Sequence, residues 1–368
     1  MNSNGKNKVL FLVQLPPPVH GASLMNQFIV SSRLIKDAYS GHSINITIAK
    51  DIDDIGKGGL KKVRKAVSVF FQVLWRLISV RPNLCYITLS PFGFGFYKDA
   101  ILILLIKLFR IRYCIHLQGK GIYNSMVSAR SSLLYKVVFH NSYVITLAKV
   151  LNKDLEKLKH IKRIQVVNNA IAEIDFPSKE HKGINVVYIS NMVEEKGPMD
   201  LLLAAKMFLS ESDKEVYFTF AGKWINSTFR DKFNKYLEDN NLQHTCKYVG
   251  PVYNDEKLEL FSNSDIMVLP TYYPNECFPL AILEGMSFGM PVISTEEGAI
   301  SEIIVDGKNG LLVPAKSPKK IAEAIKVLVD NPMMLKRLGN QAKLDFRQKY
   351  THAIFEQKFV QAINNCLM

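Results

Sequence analysis

The 368-residue sequence predicts an α/β protein with two doubly wound, Rossmann-like domains that face a cleft. Short runs rich in Val and Ile alternate with longer segments of helical period in both halves, which is typical of parallel sheets covered by helices. The chain is also longer than one hydrophobic core usually serves, so two domains are expected. Ligands of such sheets bind beyond the carboxyl ends of the strands, and a site is expected in those loops.

The first domain is predicted at residues 1–176. Its strands are rich in β-branched residues, and its helices place apolar residues three and four positions apart. The strands are predicted at residues 9–14, 44–48, 84–89, 113–117, 143–146 and 164–167. The helices are predicted at residues 24–34, 60–80, 98–109, 131–139 and 149–158. Residues 170–183 have no apolar period and contain Pro and charges, so they are interpreted as the linker between the domains.

The second domain is predicted at residues 177–350 and shows the same alternation. Its strands are predicted at residues 185–190, 216–221, 245–249, 266–270, 292–295 and 310–313. A short turn is predicted at residues 300–305, and helices at residues 199–209, 228–240, 254–263, 280–288, 317–330, 333–347 and 351–367.

The charge of the chain is unevenly distributed. Residues 1–176 carry 25 Lys and Arg against 9 Asp and Glu, whereas residues 177–368 carry 22 against 24. A positive field on one half favours a polyanion or an anionic lipid surface. Phe71 and Trp75 widen the apolar face of helix 60–80 toward its basic flank, as in membrane-surface helices. We therefore expect contact with an anionic membrane surface, although most of this face is expected in the domain core.

Several other classes of protein are not expected. The five cysteines lack CxxC spacing, which argues against disulfides and a zinc site and favours a cytoplasmic location. The first apolar run is too short for a signal peptide, and no run is long enough to span a bilayer. Nucleic acid is not an expected partner, because no recognisable binding module with exposed stacking aromatics is present. The DxD of Asp51 and Asp53 is interpreted as a solvated loop, so no metal and no cofactor are expected.

The stretch "NECFPLAILEG" places Glu276 in a predicted loop and Glu284 in the helix that follows. Pro279 fits the first position of that helix, whose N–H groups could hold an anionic or hydroxyl-rich ligand. A carboxylate there can accept two hydrogen bonds from a diol such as a ribose. The alternative is that Glu284 only complements the helix dipole and Glu276 is solvated.

Two further loops have a similar form. Lys196 and Gly197 follow a strand and precede Pro198 at a helix start, which suits a phosphate, although a solvated loop lysine is the alternative. Gly21 and Ala22 open the helix after the first strand and allow the backbone to approach a ligand closely. The absence of a GxGxxG after a strand and of a GxxxxGK[ST] P-loop argues against NAD chemistry and ATP hydrolysis.

His116 ends the predicted strand in "YCIHLQGKG". A histidine at this position could hydrogen-bond a substrate hydroxyl or carbonyl. A buried structural histidine is the open alternative.

Together these residues resemble the retaining glycosyltransferases of family 4, which have the GT-B fold. The resemblance covers nearly the whole chain and is most specific over "NECFPLAILEGMSFGMPVISTEEGAISEIIVDGKNGLLVPAKSP", which matches the E-x7-E element of the family and the Gly-rich segments after it. "VNNAI" resembles the "PNGID" segment of the family before the linker. The final helix, residues 351–368, would then cross back onto the first domain.

The resemblance implies a role for each matching residue. Glu284 would bind the ribose of the donor, and Lys196 would neutralise its diphosphate with help from Gly21 and Ala22. Glu276 would hold the hydroxyls of the donor sugar together with the backbone of Cys277, Phe278, Pro279 and Leu280. His116 would lie near the transferred sugar, so Glu276, His116 and Lys196 are the expected catalytic residues. Asn191 stands where family members usually carry an arginine, which leaves Lys196 as the main phosphate cation.

The activity implied is transfer of a sugar, with retention and without a metal, from a nucleotide-sugar, with a UDP-sugar favoured. The first domain would bind the acceptor and the second the donor. A glycan or a polyprenyl-diphosphate-linked acceptor in the synthesis of O-antigen, capsule or exopolysaccharide fits the basic first domain, at the inner face of the membrane. The alternatives are a GT-B sugar-nucleotide epimerase and a non-enzymatic module that binds sugar or nucleic acid.

Overall fold

The computed structural model describes residues 5–48, 60–174, 176 and 182–368. The chain divides into two compact units, the first made of Met1–Asn169 with Ala353–Met368 and the second of Ala170–His352. Each unit contains one parallel six-stranded sheet. The predicted α/β class with two doubly wound sheets is therefore confirmed.

The sheet of the first unit has the order β2-β1-β3-β4-β5-β6. Its strands are β1 Lys8–Val13, β2 Ser40–Asn45, β3 Leu84–Leu89, β4 Arg112–Leu117, β5 Tyr143–Thr146 and β6 Arg163–Val166. Its helices are α1 Gly21–Ser31, α2 Arg33–Ala38, α3 Leu60–Val80, α4 Gly93–Leu108, α5 Ile122–Ser125 and α6 Ala129–Phe139. The final helix of the chain, His352–Leu367, belongs to this unit except for its first residue.

The two faces of the first sheet bury different layers. One face carries the main core, in which Leu12 and Ile87 of the sheet cluster with Val73 of α3, Ile103 of α4 and Val138 of α6. On the other face, the rings of Tyr86 and Phe359 of the final helix lie 5.3 Å apart, edge to face. Strands covered on both faces read as continuous apolar runs, which explains why β1, β3 and β4 are well predicted.

The sheet of the second unit has the order β12-β11-β10-β7-β8-β9. Its strands are β7 Ile184–Ile189, β8 Val216–Ala221, β9 Cys246–Gly250, β10 Ile266–Leu269, β11 Val292–Ser294 and β12 Gly310–Leu312. Its helices are α7 Pro198–Glu211, α8 Ser227–Asp239, α9 Asn254–Ser262, α10 Leu280–Ser287, α11 Ile300–Ile303, α12 Pro318–Asp330 and α13 Pro332–Lys349. The helix His352–Leu367 is therefore α14.

The strand order of the second unit makes β7 and β10 neighbours at a topological switch point. From β7 the chain runs outward through β8 and β9, then returns to the other side of β7 as β10. Loops that leave the carboxyl ends of strands at such a point diverge and leave room for a ligand. The loops of Lys196 and of Glu276 follow these two strands.

Some predicted elements are displaced in the structure. The second strand is Ser40–Asn45 rather than residues 44–48, because Lys8 of β1 pairs with Ser40 in register. The predicted helix 24–34 is two helices separated at Ser32, whose side chain caps α2. The predicted helix 149–158 is a 3-10 helix at Val150–Leu155, and the short helix α5 is not predicted by the sequence pattern.

Candidate functional site

The loop after β7 is held against the end of β10. Lys196 ends a 3-10 turn that begins at Glu194, and Gly197 follows with a φ of +78°. A Cβ atom on Gly197 would lie 2.3 Å from the carbonyl oxygen of Pro270, so only glycine fits there. The N–H of Tyr272 also donates to the carbonyl of Glu195 at 2.7 Å. The two loops at the switch point are therefore fixed to each other.

Lys196 and Glu276 form an ion pair across these loops. The Nζ atom of Lys196 lies 2.5 Å from Oε2 of Glu276, whose residue exposure is only 6%. The same ammonium group lies 4.8 Å from the centre of the Tyr273 ring. A lysine held by one carboxylate and one aromatic face keeps its charge at a fixed point, as a site for an anionic group requires.

Glu284 has a lysine partner of its own, which the sequence pattern does not predict. The Nζ atom of Lys257 in α9 lies 2.5 Å from Oε1 of Glu284. The Glu284 side chain is 18% exposed, and burial raises the pKa of its carboxyl while the charge of Lys257 lowers it. An ionised carboxylate can accept several hydrogen bonds, so Glu284 retains the capacity to accept hydroxyl groups of a ligand.

The short segment between the two carboxylates is largely buried. Cys277 and Phe278 are 7% and 5% exposed. Helix α10 begins at Leu280, and Pro279 lies just before it rather than at the first helical position as predicted. The Phe278 ring packs edge to face on Tyr350 at 5.9 Å. Packing of this kind fixes the backbone that carries Glu276.

Gly298 packs closely against the backbone of this segment. It has a φ of +61°, and the N–H of the next residue, Ala299, donates to the carbonyl of Cys277 at 2.8 Å. A Cβ atom on Gly298 would lie 2.4 Å from the carbonyl oxygen of Glu276. The glycine thus allows a close backbone approach that places Glu276.

We expect Gly298→Ala to lower the free energy of unfolding by about 1–3 kcal/mol, because it adds a steric conflict to a left-handed backbone. Gly307→Ala is the matched control, since Gly307 also has a positive φ, of +68°, but nothing lies within 4 Å of its Cβ position. Chemical denaturation of both variants measures the difference. Equal losses in the two variants would show that the contact with Glu276 is irrelevant.

Asn191 lies on the exposed surface of the loop after β7. Its carbonyl oxygen accepts a hydrogen bond from the N–H of Val193 at 2.9 Å. Lys196 and Asn191 lie in the loop after β7, Glu276 lies in the loop after β10, and Glu284 lies in α10. All four residues therefore belong to the elements at the switch point.

The remaining predicted residues, Gly21, Ala22 and His116, belong to the first unit. Helix α1 begins at Gly21, as the loop pattern predicts within a few residues, and His20 caps it by accepting a hydrogen bond from the Ser23 N–H at 3.3 Å. Gly21 and Ala22 thus lie at the N-terminus of a helix. Their contact with a donor stays a prediction.

His116 is completely buried in β4. Its Nδ1 atom lies 2.5 Å from the hydroxyl of Tyr86, and Nε2 has no partner among the described residues. Burial lowers the pKa of His116 to about 3, so the ring is neutral at physiological pH. This geometry favours the structural alternative, and a role for His116 beside a sugar stays a prediction.

Buried His116 should make the protein sensitive to acid. The unfolded chain binds a proton near the ordinary pKa of 6.5, whereas the folded state resists protonation until about pH 3, so stability falls as the pH drops between these values. We expect His116→Gln to reduce this acid-dependent loss of thermal stability. His244→Gln, at an exposed position, is the control and should retain the full loss.

The described part of the chain offers neither a metal-ligand cluster nor a membrane span. Its residues contain no group of three or more His, Cys, Asp or Glu that could hold a metal ion. None of its helices combines the length and the apolar character needed to cross a bilayer. Asp51 and Asp53 lie outside the described residues. All five cysteines are buried thiols.

Comparison with known proteins finds a family that the second unit resembles. Residues 171–345 match the family model described as Glycosyl transferases group 1. This part of the chain is therefore similar to a glycosyltransferase group 1 domain. It contains Lys196, Glu276 and Glu284 and all the contacts described for them. The match supports glycosyl transfer as the activity.

Relatives that match more of the chain are distant. An uncharacterised glycosyltransferase of Methanocaldococcus jannaschii is 25% identical over 260 residues, which are 70% of either chain. Alignments to several further curated relatives span less than half of their length.

Solved structures with the same fold cover nearly the entire chain. A glycosyltransferase from Rickettsia africae has a TM-score of 0.79 at 14% identity and covers 98% of this chain and 99% of its own. Anabaena HepE, solved in complex with UDP and glucose, has a TM-score of 0.70 at 14% identity over 98% of this chain and all of its own. The lipopolysaccharide outer core galactosyltransferase WaaB has a TM-score of 0.71 at 13% identity over 97% and 99%. The predicted GT-B fold is confirmed by these neighbours.

Proposed function

We propose that this protein is a retaining glycosyltransferase that moves a sugar from a nucleotide-sugar, with a UDP-sugar favoured, to a glycan or polyprenyl-diphosphate-linked acceptor. The observation that carries the proposal is the switch point of the second unit, where Lys196 and Glu276 meet at 2.5 Å within a glycosyltransferase group 1 domain. The second unit would bind the donor and the first unit the acceptor.

Lys196 would stabilise the leaving diphosphate. Cleavage of the anomeric bond develops negative charge on the diphosphate, and a fixed ammonium group stabilises that charge without a metal. When the donor binds, its diphosphate would become the partner of Lys196. Glu276 would then accept hydrogen bonds from hydroxyl groups of the donor sugar instead of pairing with the lysine. Glu284 would accept hydrogen bonds from the ribose, which is a binding role and requires no proton transfer.

The acceptor hydroxyl would attack from the same face as the leaving group. In this mechanism the departing phosphate takes the proton of the acceptor, so no carboxylate nucleophile is needed and the configuration is retained. Glu276 suits a supporting role here, because it is buried and paired with a lysine. A UDP-sugar is favoured by analogy with HepE, and surface-polysaccharide synthesis by analogy with WaaB.

An assay of nucleotide release and product stereochemistry tests the proposal. UDP-sugars are incubated with and without lipid-linked saccharide acceptors, and the configuration of the new bond is read by NMR, with EDTA present. We expect acceptor-dependent release of UDP and a retained anomeric configuration. An inverted product would contradict the mechanism. Isomerised sugar without an acceptor would support the epimerase alternative, and binding without turnover the non-enzymatic module.

We further propose that the first unit docks on the inner face of the membrane. Helices α3, α4 and α6 cover one face of the first sheet through a shared core, and each exposes large apolar side chains on its outer surface. On α3, Phe71 and Trp75 are 60% and 65% exposed, and on α4 Leu108 is 77% exposed. Residues 60–150 contain fourteen Lys and Arg and a single acid, Asp99, which is buried in an ion pair with Lys98. Helices that expose large apolar side chains among basic residues suit a surface of anionic lipid.

Replacing Phe71 and Trp75 with serine should weaken binding to vesicles of phosphatidylcholine with phosphatidylglycerol by about tenfold or more, because two large side chains no longer enter the interface. Cosedimentation measures the effect. The control is a double serine variant at Val327 and Met333, which are exposed in the second unit. Equal binding by both variants, or no difference between anionic and neutral vesicles, would contradict the membrane proposal.

A further inference from the structure

Among the residues that the structure describes, Lys257 supplies the positive charge that lowers the pKa of the Glu284 carboxyl group against the effect of burial. It belongs to α9, the helix that precedes β10, and reaches Glu284 in the middle of α10 across 27 positions of sequence. The Nζ to Oε1 distance is 2.5 Å, and the two side chains are only 28% and 18% exposed. Neither the sequence pattern nor the family match assigns a role to this lysine.

The environment of Glu284 opposes ionisation. Burial disfavours a carboxylate, and a protonated Glu284 would present an O–H donor at a position where hydroxyl groups need an acceptor. A cation within hydrogen-bond distance restores the charged form and fixes the orientation of the carboxylate. Lys257 binds Oε1, and the carboxylate has a second oxygen, Oε2, to offer to a ligand.

We propose that Lys257 is a positioning residue of the donor site, which keeps the Glu284 carboxylate ionised and oriented to accept the hydroxyl groups of a ribose. The proposal rests on the donor-binding function proposed above for Glu284. It extends that function to a lysine on a different helix and predicts that nucleotide affinity depends on pH through this pair.

The contrast with other ion pairs of the second unit supports this role. Lys320 and Glu323 lie on the surface of α12 with side chains 56% and 44% exposed, where solvent screens the charges and such pairs contribute little. The Lys257–Glu284 pair is more buried and bridges two helices, so its loss leaves a partly desolvated carboxylate without its cation. The effect of Lys257 should therefore be much larger than that of Lys320.

The experiment compares Lys257→Met, Lys257→Arg and the control Lys320→Met in the full chain. UDP is the probe, its Kd is measured by calorimetry between pH 5 and 8, and thermal melts confirm that each variant is folded. We expect Lys257→Met to weaken UDP binding about tenfold at pH 7, the size of effect of one lost charged hydrogen bond. Lys257→Arg and Lys320→Met should bind like the wild type.

The pH profile separates positioning from simple structural damage. Without Lys257, the pH at which affinity is lost on acidification should rise by about one to three units, since an adjacent cation lowers a carboxyl pKa by that amount. In a Glu284→Gln background, Lys257→Met should cause no further change in the profile. Turnover at saturating donor should stay near the wild-type value, so the effect appears in KM rather than kcat.

A second readout needs no nucleotide. The titration of the Glu284 side chain is followed by carbon-13 NMR in the wild type and in Lys257→Met. An unchanged midpoint overturns the proposal, whatever the protein binds. A raised midpoint in a protein that binds no UDP or GDP would refute the donor site and the ribose role while retaining the electrostatic link between the two residues. A raised midpoint with wild-type UDP affinity would overturn the positioning role.

Discussion

Glu276→Gln should abolish most sugar transfer and yet leave UDP binding unchanged or tighter. The carboxylate would lose its contacts with the donor sugar, and we expect kcat to fall by about 10²–10³-fold, the range seen when one charge-stabilising contact of a transition state is removed. UDP lacks the transferred sugar, so its binding does not depend on those contacts. Its diphosphate would also find Lys196 released from the 2.5 Å ion pair with Glu276.

The measurement pairs steady-state transfer of a UDP-sugar with calorimetric binding of UDP. Glu194→Gln is the matched control, because Glu194 lies on the loop of Lys196, in an exposed pair with Lys232 at 3.2 Å. It should transfer sugar like the wild type. Parallel losses of transfer and UDP binding in Glu276→Gln would instead indicate that Glu276 shapes the whole site.

Glu284→Ala should have the opposite signature, a large loss of nucleotide affinity. A buried carboxylate that accepts hydrogen bonds from a ribose contributes about 1.5–3 kcal/mol per bond, so UDP affinity should fall by about 10–100-fold. Wild-type affinity should also decline as the pH is lowered through the raised pKa of Glu284, at a higher pH than for an ordinary glutamate. The protonated form donates a hydrogen bond where the carboxylate accepts one.

Calorimetric titration with UDP across the pH range checks both statements. Glu323→Ala, which removes an exposed carboxylate of α12, should leave the affinity and its pH dependence unchanged. If Glu284→Ala binds UDP as tightly as the wild type, Glu284 has no role in binding the ligand and serves only in its ion pair with Lys257.

The sequence predicts the location of the site better than its contacts. Lys196 and Glu276 each follow an apolar strand and precede a helix with a proline at or just before its start, so both loops are recognisable from local pattern. That β7 and β10 are neighbours follows from the doubly wound topology. The ion pair between the two residues could not be predicted, because it depends on the close approach of Gly197 to Pro270.

The contacts of Lys257 and His116 could not be predicted from the sequence either. Lys257 lies in a polar helix, where a lysine is usually solvated, and only the packing of α9 beside α10 brings it to Glu284. A strand pattern does not reveal whether the last residues of the strand face a ligand or a covering helix. The structure places His116 against Tyr86, whose ring in turn packs on Phe359 of α14, a helix from the far end of the sequence.

Binding of nucleotide-sugars tests the central claim most directly. Thermal shifts are recorded for the wild type and for Glu284→Ala with a panel of UDP-sugars and GDP-sugars. At a ligand concentration of about 100 times Kd, binding adds about 2.7 kcal/mol to the stability of the folded state, which raises Tm by several degrees. We predict this rise for at least one UDP-sugar in the wild type and a smaller rise in Glu284→Ala. No stabilisation of the wild type by any UDP-sugar or GDP-sugar would contradict the assignment of the donor site.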